Sequence, residues 1–394
     1  MKDWIKTTIG EFIDFNPSEK LQKNTIAKKI PMDKLGTFER KIKGFELSEY
    51  KSGPKFKNGD TLLAKITPCL ENGKTALVDI LEDNEIAFGS SEFIVLRNNE
   101  LSDYRFVYYL ARSPYFREKA ISCMEGTSGR KRVNEGTLKN LSINVPPLTT
   151  QQKIAKILSD LDDKIEVLSQ LNDNLAQLAK TIYDYWFVQF DFPDENGKPY
   201  KSSGGKMVYN EILKREIPAE WEVKSVGEIL KKNKPTIKIN AKDYLLFGKI
   251  PVIDQSIDFI CGYTNKIESL IESSDIPAII FGDHTRILKL VDFDFARGAD
   301  GTQILFSNNK KMPQYLLYHS LLKIDLSNYG YARHFKFLKE HKILLPNDRI
   351  AEKFVERVKI LHKKIKTNRN EIHHLQTLRD TLLPMLMNGQ IEVE

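Results

Sequence analysis

The sequence predicts an α+β chain: two globular α/β domains joined by two long antiparallel coiled-coil helices. Three observations carry this prediction. A block of residues near the start returns in the same order after the midpoint, a heptad-periodic stretch closes each half, and a polar stretch rich in proline and glycine separates the halves. Together they describe one unit used twice, a pseudo-twofold internal repeat.

The repeat opens on Trp4-Ile-Lys-Thr-Thr8-Ile9-Gly10-Glu11, which returns as Trp221-Glu-Val-Lys-Ser225-Val226-Gly227-Glu228 at an offset of 217 residues. Strand-like runs follow. Thr61–Ile66 and Ser91–Leu96 in the first half are matched by Ile276–Phe281 and Thr302–Phe306 in the second. Each is β-branched or aromatic-rich and bounded by turn-forming residues. Tyrosine-rich helical stretches come next, Tyr104–Leu110 and Pro313–Tyr318, then glycine-led basic segments, Gly126–Val133 and Gly330–Phe337. A short strand then runs into proline in each half, Ile143–Pro147 and Ile343–Pro346, and a long helix follows.

In the first long helix, capped at Thr149, Ile154, Leu161, Leu168, Leu175 and Ile182 recur every seven residues, with Leu158, Ile165, Leu171 and Leu178 between them. In the second, from about Arg349, Phe354, Leu361, Asn368, Leu375 and Leu382 recur likewise, with Val358, Ile365, Ile372 and Leu386 between. A seven-residue period held this long predicts a coiled coil. The first stretch, Thr149 to Phe187, would be about 58 Å long as a helix. Asn172 and Asn368 interrupt the stripes near the helix midpoints. An Asn in a heptad core costs stability and fixes register, so the two are expected to meet near the centre of an antiparallel pair.

Asp191–Gly205 reads as an exposed linker, from its Pro, Gly, Ser and charged residues. The expected division is then residues 1–147 and 217–346 for the globular domains, 148–190 and 347–394 for the helices with the C-terminal tail, and 191–216 for the linker.

Composition agrees with this plan. A chain of 394 residues exceeds what one core organises. Hydrophobic residues at 41% and aromatics at 10% exclude a disordered protein. A net charge of +7 suits a protein that meets phosphate on one face. The three cysteines, Cys69, Cys123 and Cys261, have neither disulfide nor zinc spacing and fit a reducing compartment. No signal-peptide h-region and no apolar run of ~18 residues is present, so the expected location is the cytoplasm, with no membrane partner.

No catalytic signature emerges. Gly73-Lys74-Thr75 has Pro68 where a P-loop needs its first glycine. Asn144-Val-Pro-Pro-Leu148 lacks the aromatic of an amino-methyltransferase motif, and Pro193–Lys198 has the wrong acid-to-lysine spacing for a nuclease. His373 and His374 are adjacent and point about 100° apart on a helix, which suits no metal. No metal or cofactor is expected in this chain.

What remains is a set of polar and basic loop residues. Arg and Lys bind guanine edges or phosphates, Asn and Gln read adenine, and Ser and Thr bond to either. The candidates in the first domain are Lys65, Thr67, Asn72, Lys74, Ser90, Ser91, Arg130, Lys131 and Arg132. Those in the second are Asp283, His284, Thr285, Arg286, Arg297, Arg333, His334 and Lys336.

Three junctions carry a family resemblance. Pro146-Pro147-Leu-Thr-Thr-Gln151-Gln152-Lys-Ile154-Ala155-Lys-Ile157-Leu158 leads into the first helix, Tyr185-Trp186-Phe187-Val-Gln-Phe190-Asp-Phe-Pro193 leaves it, and Ile217-Pro218-x-x-Trp221 opens the second domain. In motif and order the chain resembles the specificity subunit of type I restriction–modification enzymes. The resemblance implies that each globular domain is a target-recognition domain reading one half of a bipartite, asymmetric double-stranded DNA target. It implies that the helix pair sets the spacing and docks two methyltransferase subunits, which carry S-adenosylmethionine and methylate adenine. Restriction subunits using ATP and Mg2+ to translocate and cleave would join them. The chain itself would be a non-catalytic subunit. The second helix starts Pro346-Asn-Asp-Arg-Ile350 without the Gln-Gln pair of the first, so its contacts need not mirror it. A coiled-coil adaptor binding proteins through two globular domains is the alternative reading.

Overall fold

The computed structural model describes residues 3–127, 129–232, 235–330 and 333–393. It divides into two compact units, unit 1 formed by Met1–Ser169 with Asn370–Glu394, and unit 2 by Gln170–Arg369.

Unit 1 begins with β1 (Ile5–Thr8) and the single-turn α1 (Ile9–Phe12). The Thr8 hydroxyl accepts from the Glu11 amide at 3.3 Å, and the Glu11 carboxylate accepts from the Thr8 amide at 3.1 Å. This reciprocal cap ends the strand and starts the helix. Gly10 lets α1 approach its neighbour: a Cβ there would lie 3.0 Å from the Lys139 Cβ. Seven strands follow: β2 (Ile13–Phe15), β3 (Ile26–Ile30), β4 (Glu46–Glu49), β5 (Lys55–Phe56), β6 (Thr61–Ala64), β7 (Thr75–Leu77) and β8 (Ala87–Gly89). The run ends in β9 (Phe93–Asn98), α2 (Tyr104–Arg112) and α3 (Pro114–Ser122), then β10 (Met124–Glu125), β11 (Arg132–Val133), α4 (Glu135–Asn140) and β12 (Ser142–Val145).

The strands form two four-stranded sheets, β4-β3-β8-β5 and β2-β9-β6-β7. β3 and β8 are parallel, and every other pairing in these sheets is antiparallel. Ile30, Phe56, Leu62, Ala87, Phe93 and Val95 fill the space between the sheets. A second core, with Ile9, Phe12, Leu63, Ile94, Phe106 and Tyr109, binds α1 and α2 to the other face of the second sheet. β1 pairs with β12, so the first strand of the unit lies beside its last.

The first long helix is α5 (Leu148–Tyr183), which passes into a π-helical turn at Asp184–Val188. Thr149 lies inside α5 rather than at its cap, because the helical hydrogen bonding already includes Gln151 N–H to Pro147 O at 3.0 Å.

Unit 2 repeats the sheet plan. It contains β13 (Met207–Asn210), β14 (Arg215–Pro218), β15 (Glu222–Ser225), α6 (Val226–Ile229), β16 (Ile250–Ile253), β17 (Gly262–Thr264), β18 (Leu270–Ile271), β19 (Ala278–Gly282), β20 (Leu288–Val291), β21 (Phe295–Arg297) and β22 (Thr302–Leu305). The remaining elements are α7 (Gln314–Leu321), α8 (His334–Glu340), β23 (Lys342–Leu345) and the first part of the second long helix, α9 (Asp348–Met387), whose residues from Asn370 onward belong to unit 1. The sheet β17-β16-β21-β18 has the order and directions of β4-β3-β8-β5, including one parallel pair, β16 with β21. The sheet β20-β19-β22 matches β7-β6-β9. Glu228 caps the Ser225 amide at 2.7 Å, β15 pairs with β23, and a Cβ at Gly227 would lie 3.2 Å from the Lys339 carbonyl oxygen. The recurring block in the sequence thus encodes the same strand, cap and close helix approach in both units.

The segment 191–216 differs from an exposed linker. Phe192 is buried and stacks on Trp221 at 5.2 Å and on Tyr200 at 4.6 Å. β13 and β14 form a hairpin at its end that runs on to Pro218. Its polar residues form the turns, while its aromatics anchor it to the core with Trp186, Phe187 and Phe190. The turn residues are a local signal in the sequence, whereas the burial of the aromatics arises from packing against residues distant in the chain.

The two long helices meet antiparallel within each unit. In unit 1, Arg379 donates to Asp162 at 2.6 Å and Lys164 pairs with Glu371 at 3.4 Å. In unit 2, Asn368 donates to Asn172 at 2.9 Å, and the Tyr183 ring meets that of Phe354. Leu171 and Leu178 are exposed, contrary to the expected stripe. The row begun by Leu158 and Ile165 keeps its seven-residue step through Asn172 and Ala179, and Ala179 is fully buried. Position, not side-chain hydrophobicity, decides which residues face inward. The corresponding row of α9 contains Arg379, buried against Asp162.

Candidate nucleic-acid interface

In unit 1 the turn after β6 and the strand β11 are knitted together. Thr67 N–H donates to Lys131 O at 3.0 Å, and Lys131 N–H donates to the Thr67 hydroxyl oxygen at 3.1 Å. Lys65 pairs with Glu135 at 3.4 Å. Its amide donates to Glu92 O, which brings in the turn holding Ser90 and Ser91. Lys65, Thr67, Ser90, Ser91 and Arg130–Arg132 therefore share one edge of the unit. Asn72 and Lys74 lie at the far end of the Pro68–Lys74 turn, with Asn72 exposed and the Lys74 ammonium donating to Met32 O at 3.0 Å.

The three basic residues are not equivalent. Arg132 forks onto Glu92 with bonds of 2.8–3.2 Å. That hydrogen bond holds the Glu92 carboxyl below the usual carboxylate range. Arg130 and Lys131 are exposed, with no side-chain partner among the described residues. Ser128, within the same basic segment, lies outside the described residues.

In unit 2, loops from four places converge. Asp283 and His334 are buried. The Asp283 carbonyl accepts from the His334 amide at 2.9 Å, and its carboxylate accepts from the Phe335 amide at 2.8 Å. His334 Nδ1 lies 2.9 Å from Asp283 O, and Nε2 lies 3.1 Å from Gly330 O. These two side chains support the loops, leaving their polar atoms little capacity for a ligand. Gln255 ties the next loop in: its side chain accepts from the His284 amide at 3.1 Å and donates to Asp300 O at 2.8 Å, while Thr285 donates to its carbonyl. Arg286, at φ 63°, points back to Leu326 O at 3.3 Å. Arg333 and Lys336 are exposed.

Arg297 is half-buried, and its Nε has no partner among the described residues. Burial lowers its pKa, opposed by the nearby Asp300 carboxylate. Asp300 is itself paired with Lys238, a cation the sequence reading did not single out. Lys238 and Gln255 carried no local signal, since each gains its place from pairing with a strand or loop distant in the chain. Tyr331 and Ala332, beside Arg333, lie outside the described residues.

Among the described residues, no cluster of three or more His, Cys, Asp or Glu could hold a metal ion, and no helix is long and apolar enough to cross a membrane. What the two units offer is cations and hydroxyls on hydrogen-bonded loops, a surface suited to phosphates and base edges.

Residues 1–177 match the family described as type I restriction modification DNA specificity domain. The chain is 30% identical over 324 residues to the type I restriction enzyme MjaIX specificity subunit of Methanocaldococcus jannaschii, covering 76% of this chain and 72% of that protein. The chain belongs to the type I restriction enzyme specificity subunits. A second M. jannaschii relative, the putative MjaX specificity subunit, is 25% identical over 392 residues, spanning 93% of this chain and 85% of the relative. The crystal structure of a type I restriction–modification S subunit from M. genitalium shares the fold, with a TM-score of 0.57 at 20% identity over 98% of this chain and 96% of that one. These likenesses give no support to a protein-binding adaptor. They extend over both units of this specificity subunit, whose sheets follow one plan twice.

Proposed function

We propose that each unit of this specificity subunit is a target-recognition domain reading one half of a bipartite, asymmetric double-stranded DNA sequence. The two long helices then act as an antiparallel coiled coil that spaces the readers in a pseudo-twofold arrangement. The single observation that carries this is the repeated sheet plan, in which equivalent connections end in cation-bearing loops: Lys65 to Arg132 in unit 1, and His284 to Lys336 in unit 2. Two readers of one plan but unlike loops suit a target of two unlike halves.

In this reading the chain has no chemistry of its own and works in the cytoplasm. Two methyltransferase subunits, supplying S-adenosylmethionine, dock on the helices and methylate adenine. Restriction subunits supply the ATP- and Mg2+-dependent steps. The DNA contacts in unit 1 are Arg130 and Lys131, flanked by Lys65, Thr67, Asn72, Lys74, Ser90, Ser91 and Arg132. In unit 2 they are Arg297, Arg333 and Lys336, with His284, Thr285 and Arg286 alongside and Asp283 and His334 as supports.

The test combines two measurements. Adenine methylation is mapped in cells with and without the gene, and the purified chain is titrated with a duplex carrying the mapped sequence across a salt series. A two-part methylated motif and an affinity falling steeply with salt are expected. Salt-independent binding, or no gene-dependent methylation, overturns the proposal.

A further inference from the structure

The two units finish the outer face of their parallel strand pair differently. In unit 1, the register partners on β3 and β8 are Lys29, partly exposed, and Phe88, buried, and this face opens into a groove of about 600 Å3 lined by Lys29, Met32, Lys51, Phe88, Ser90 and Ser91. The matching partners in unit 2 are Val252 and Ala296, both fully buried. They are covered by the segment between α6 and β16, which has 20 residues where the α1–β3 segment of unit 1 has 13. Ile239 and Tyr244 from this longer segment pack on Ile250, Val252 and Ala296.

The covering segment carries an apolar tip. Leu245 exchanges two backbone hydrogen bonds with Tyr263, each 2.9 Å, and the Lys249 amide donates to Asn265 Oδ1 at 3.0 Å. The Tyr244 hydroxyl donates to Asp254 at 3.0 Å and accepts from the Ala299 amide at 2.9 Å. Leu246 and Phe247 lie between these anchors, and each is 86% exposed. Single exposed apolar side chains are ordinary. Two adjacent ones held outward by anchored backbone are not relieved by local folding, and both forgo the burial that favours apolar side chains.

The surroundings select the occupant. Lys242 and Lys249 are exposed on either side of the tip, with Asp243 the one acid between them and it. Through Tyr244 the segment is fastened to the 298–301 loop, next to Arg297 and the Lys238–Asp300 pair, where the Arg333 charge also acts on Asp300. An apolar tip among cations fits a duplex, whose phosphates meet lysine while its base edges and thymine methyls meet apolar side chains. We propose that Leu246 and Phe247 make an apolar base contact in the groove of the DNA half-site read by unit 2. This rests on the DNA-reading proposal above.

The experiment titrates the full chain, wild type and Leu246→Ser/Phe247→Ser, with a duplex carrying the mapped target and with a scrambled duplex of equal length, across a salt series. The expected result is at least a tenfold loss on the target, less than a twofold change on the scrambled duplex and an unchanged salt slope, since no phosphate contact is removed. Phe247→Leu, which keeps the tip apolar, should retain most of the target affinity, separating the contact from a folding defect. Unchanged target affinity, or equal losses on both duplexes, overturns the tip contact while leaving DNA reading intact. Loss of co-purification with the methyltransferase subunits at unchanged DNA affinity assigns the tip to a protein interface and also overturns it. A wild-type chain that shows no preference for the target sinks the reading beneath it.

Discussion

Arg130, Lys131 and Arg132 form one run of cations, yet they have different work. Arg132 is bound by both oxygens of Glu92, so part of its charge is already answered, while Arg130 and Lys131 project freely among the described residues. The Arg130→Ala/Lys131→Ala variant should weaken DNA binding and flatten the dependence of log affinity on log salt by up to about two units, as two phosphate contacts would require. Arg132→Ala should also loosen the turn that Glu92 holds. An affinity for the Arg130→Ala/Lys131→Ala variant equal to wild type at low salt removes the cluster from the interface. The run itself was legible in sequence, because consecutive basic residues after glycine are a local signal. The pairing of Arg132 with a carboxylate 40 positions away was not.

At the scale of elements, the helices were the most legible feature, since a seven-residue period states its own geometry. Their polar interior was only half legible. Asn172 and Asn368 stood out against an apolar stripe, and Asn368 is fully buried with its Nδ2 on Asn172. Asp162 and Arg379 did not stand out, because charged residues on a long helix normally face water. Here Asp162 accepts from Arg379 and from the Tyr109 hydroxyl, all three buried. Replacing Asn368 alone with Leu leaves Asn172 without its donor and should lower stability by about 1–2 kcal/mol. The Asn172→Leu/Asn368→Leu double variant should be at least as stable as wild type in thermal denaturation but poorer in fixing register. Equal melting temperatures for all three proteins would deny the pair an energetic role.

A second buried pair, between α7 and α9, responds to pH. His319 on α7 and His362 on α9 bring their Nε2 atoms to 3.1 Å. Burial, then the neighbouring imidazole, lowers the His319 pKa to about 3, while burial and Arg369 lower that of His362 to about 4. Tyr183, Tyr315, Tyr318 and Phe354 pack around them and bring no carboxylate. Both rings therefore stay neutral in the folded state, whereas an unfolded histidine takes a proton below pH ~6.5. The unfolded chain binds more protons between that value and the folded pKa values, so stability is full above pH ~6.5 and falls as the pH drops. A loss on the order of 2 kcal/mol per histidine, or roughly 4 kcal/mol for the pair, is expected between pH 7 and 5. Denaturation of His319→Leu/His362→Leu should show a flatter slope over this window. An unchanged slope would place the pH dependence elsewhere.

For the molecule as a whole, the duplicated plan was legible because its markers are local: a capping Thr or Ser, the glycine behind it, a proline before each helix. The order of strands in the sheets was not, since β3 beside β8 and β16 beside β21 are pairings across distant sequence. The covering segment of unit 2 also escaped notice, because a longer connection has no meaning until the face beneath it is known. If the helices set the spacing of two readers, removing one heptad from each, on the unit 1 side of the Asn172–Asn368 pair, should bring the half-sites closer. Seven residues correspond to about 10.5 Å of helix, or roughly three base pairs. Methylation mapping that returns the original gap would contradict the ruler.

The division of the chain has a further bearing on how the molecule comes into being. Unit 2 is one continuous stretch, whereas unit 1 is closed by Leu383, Leu386 and Met387, which enter its core from the far end of the sequence. During synthesis, unit 1 must wait for Leu383, Leu386 and Met387, which follow unit 2 in the chain, and unit 2 completes itself before they are added. A chain cut just before Leu383 would keep unit 2 whole and leave unit 1 with an open core.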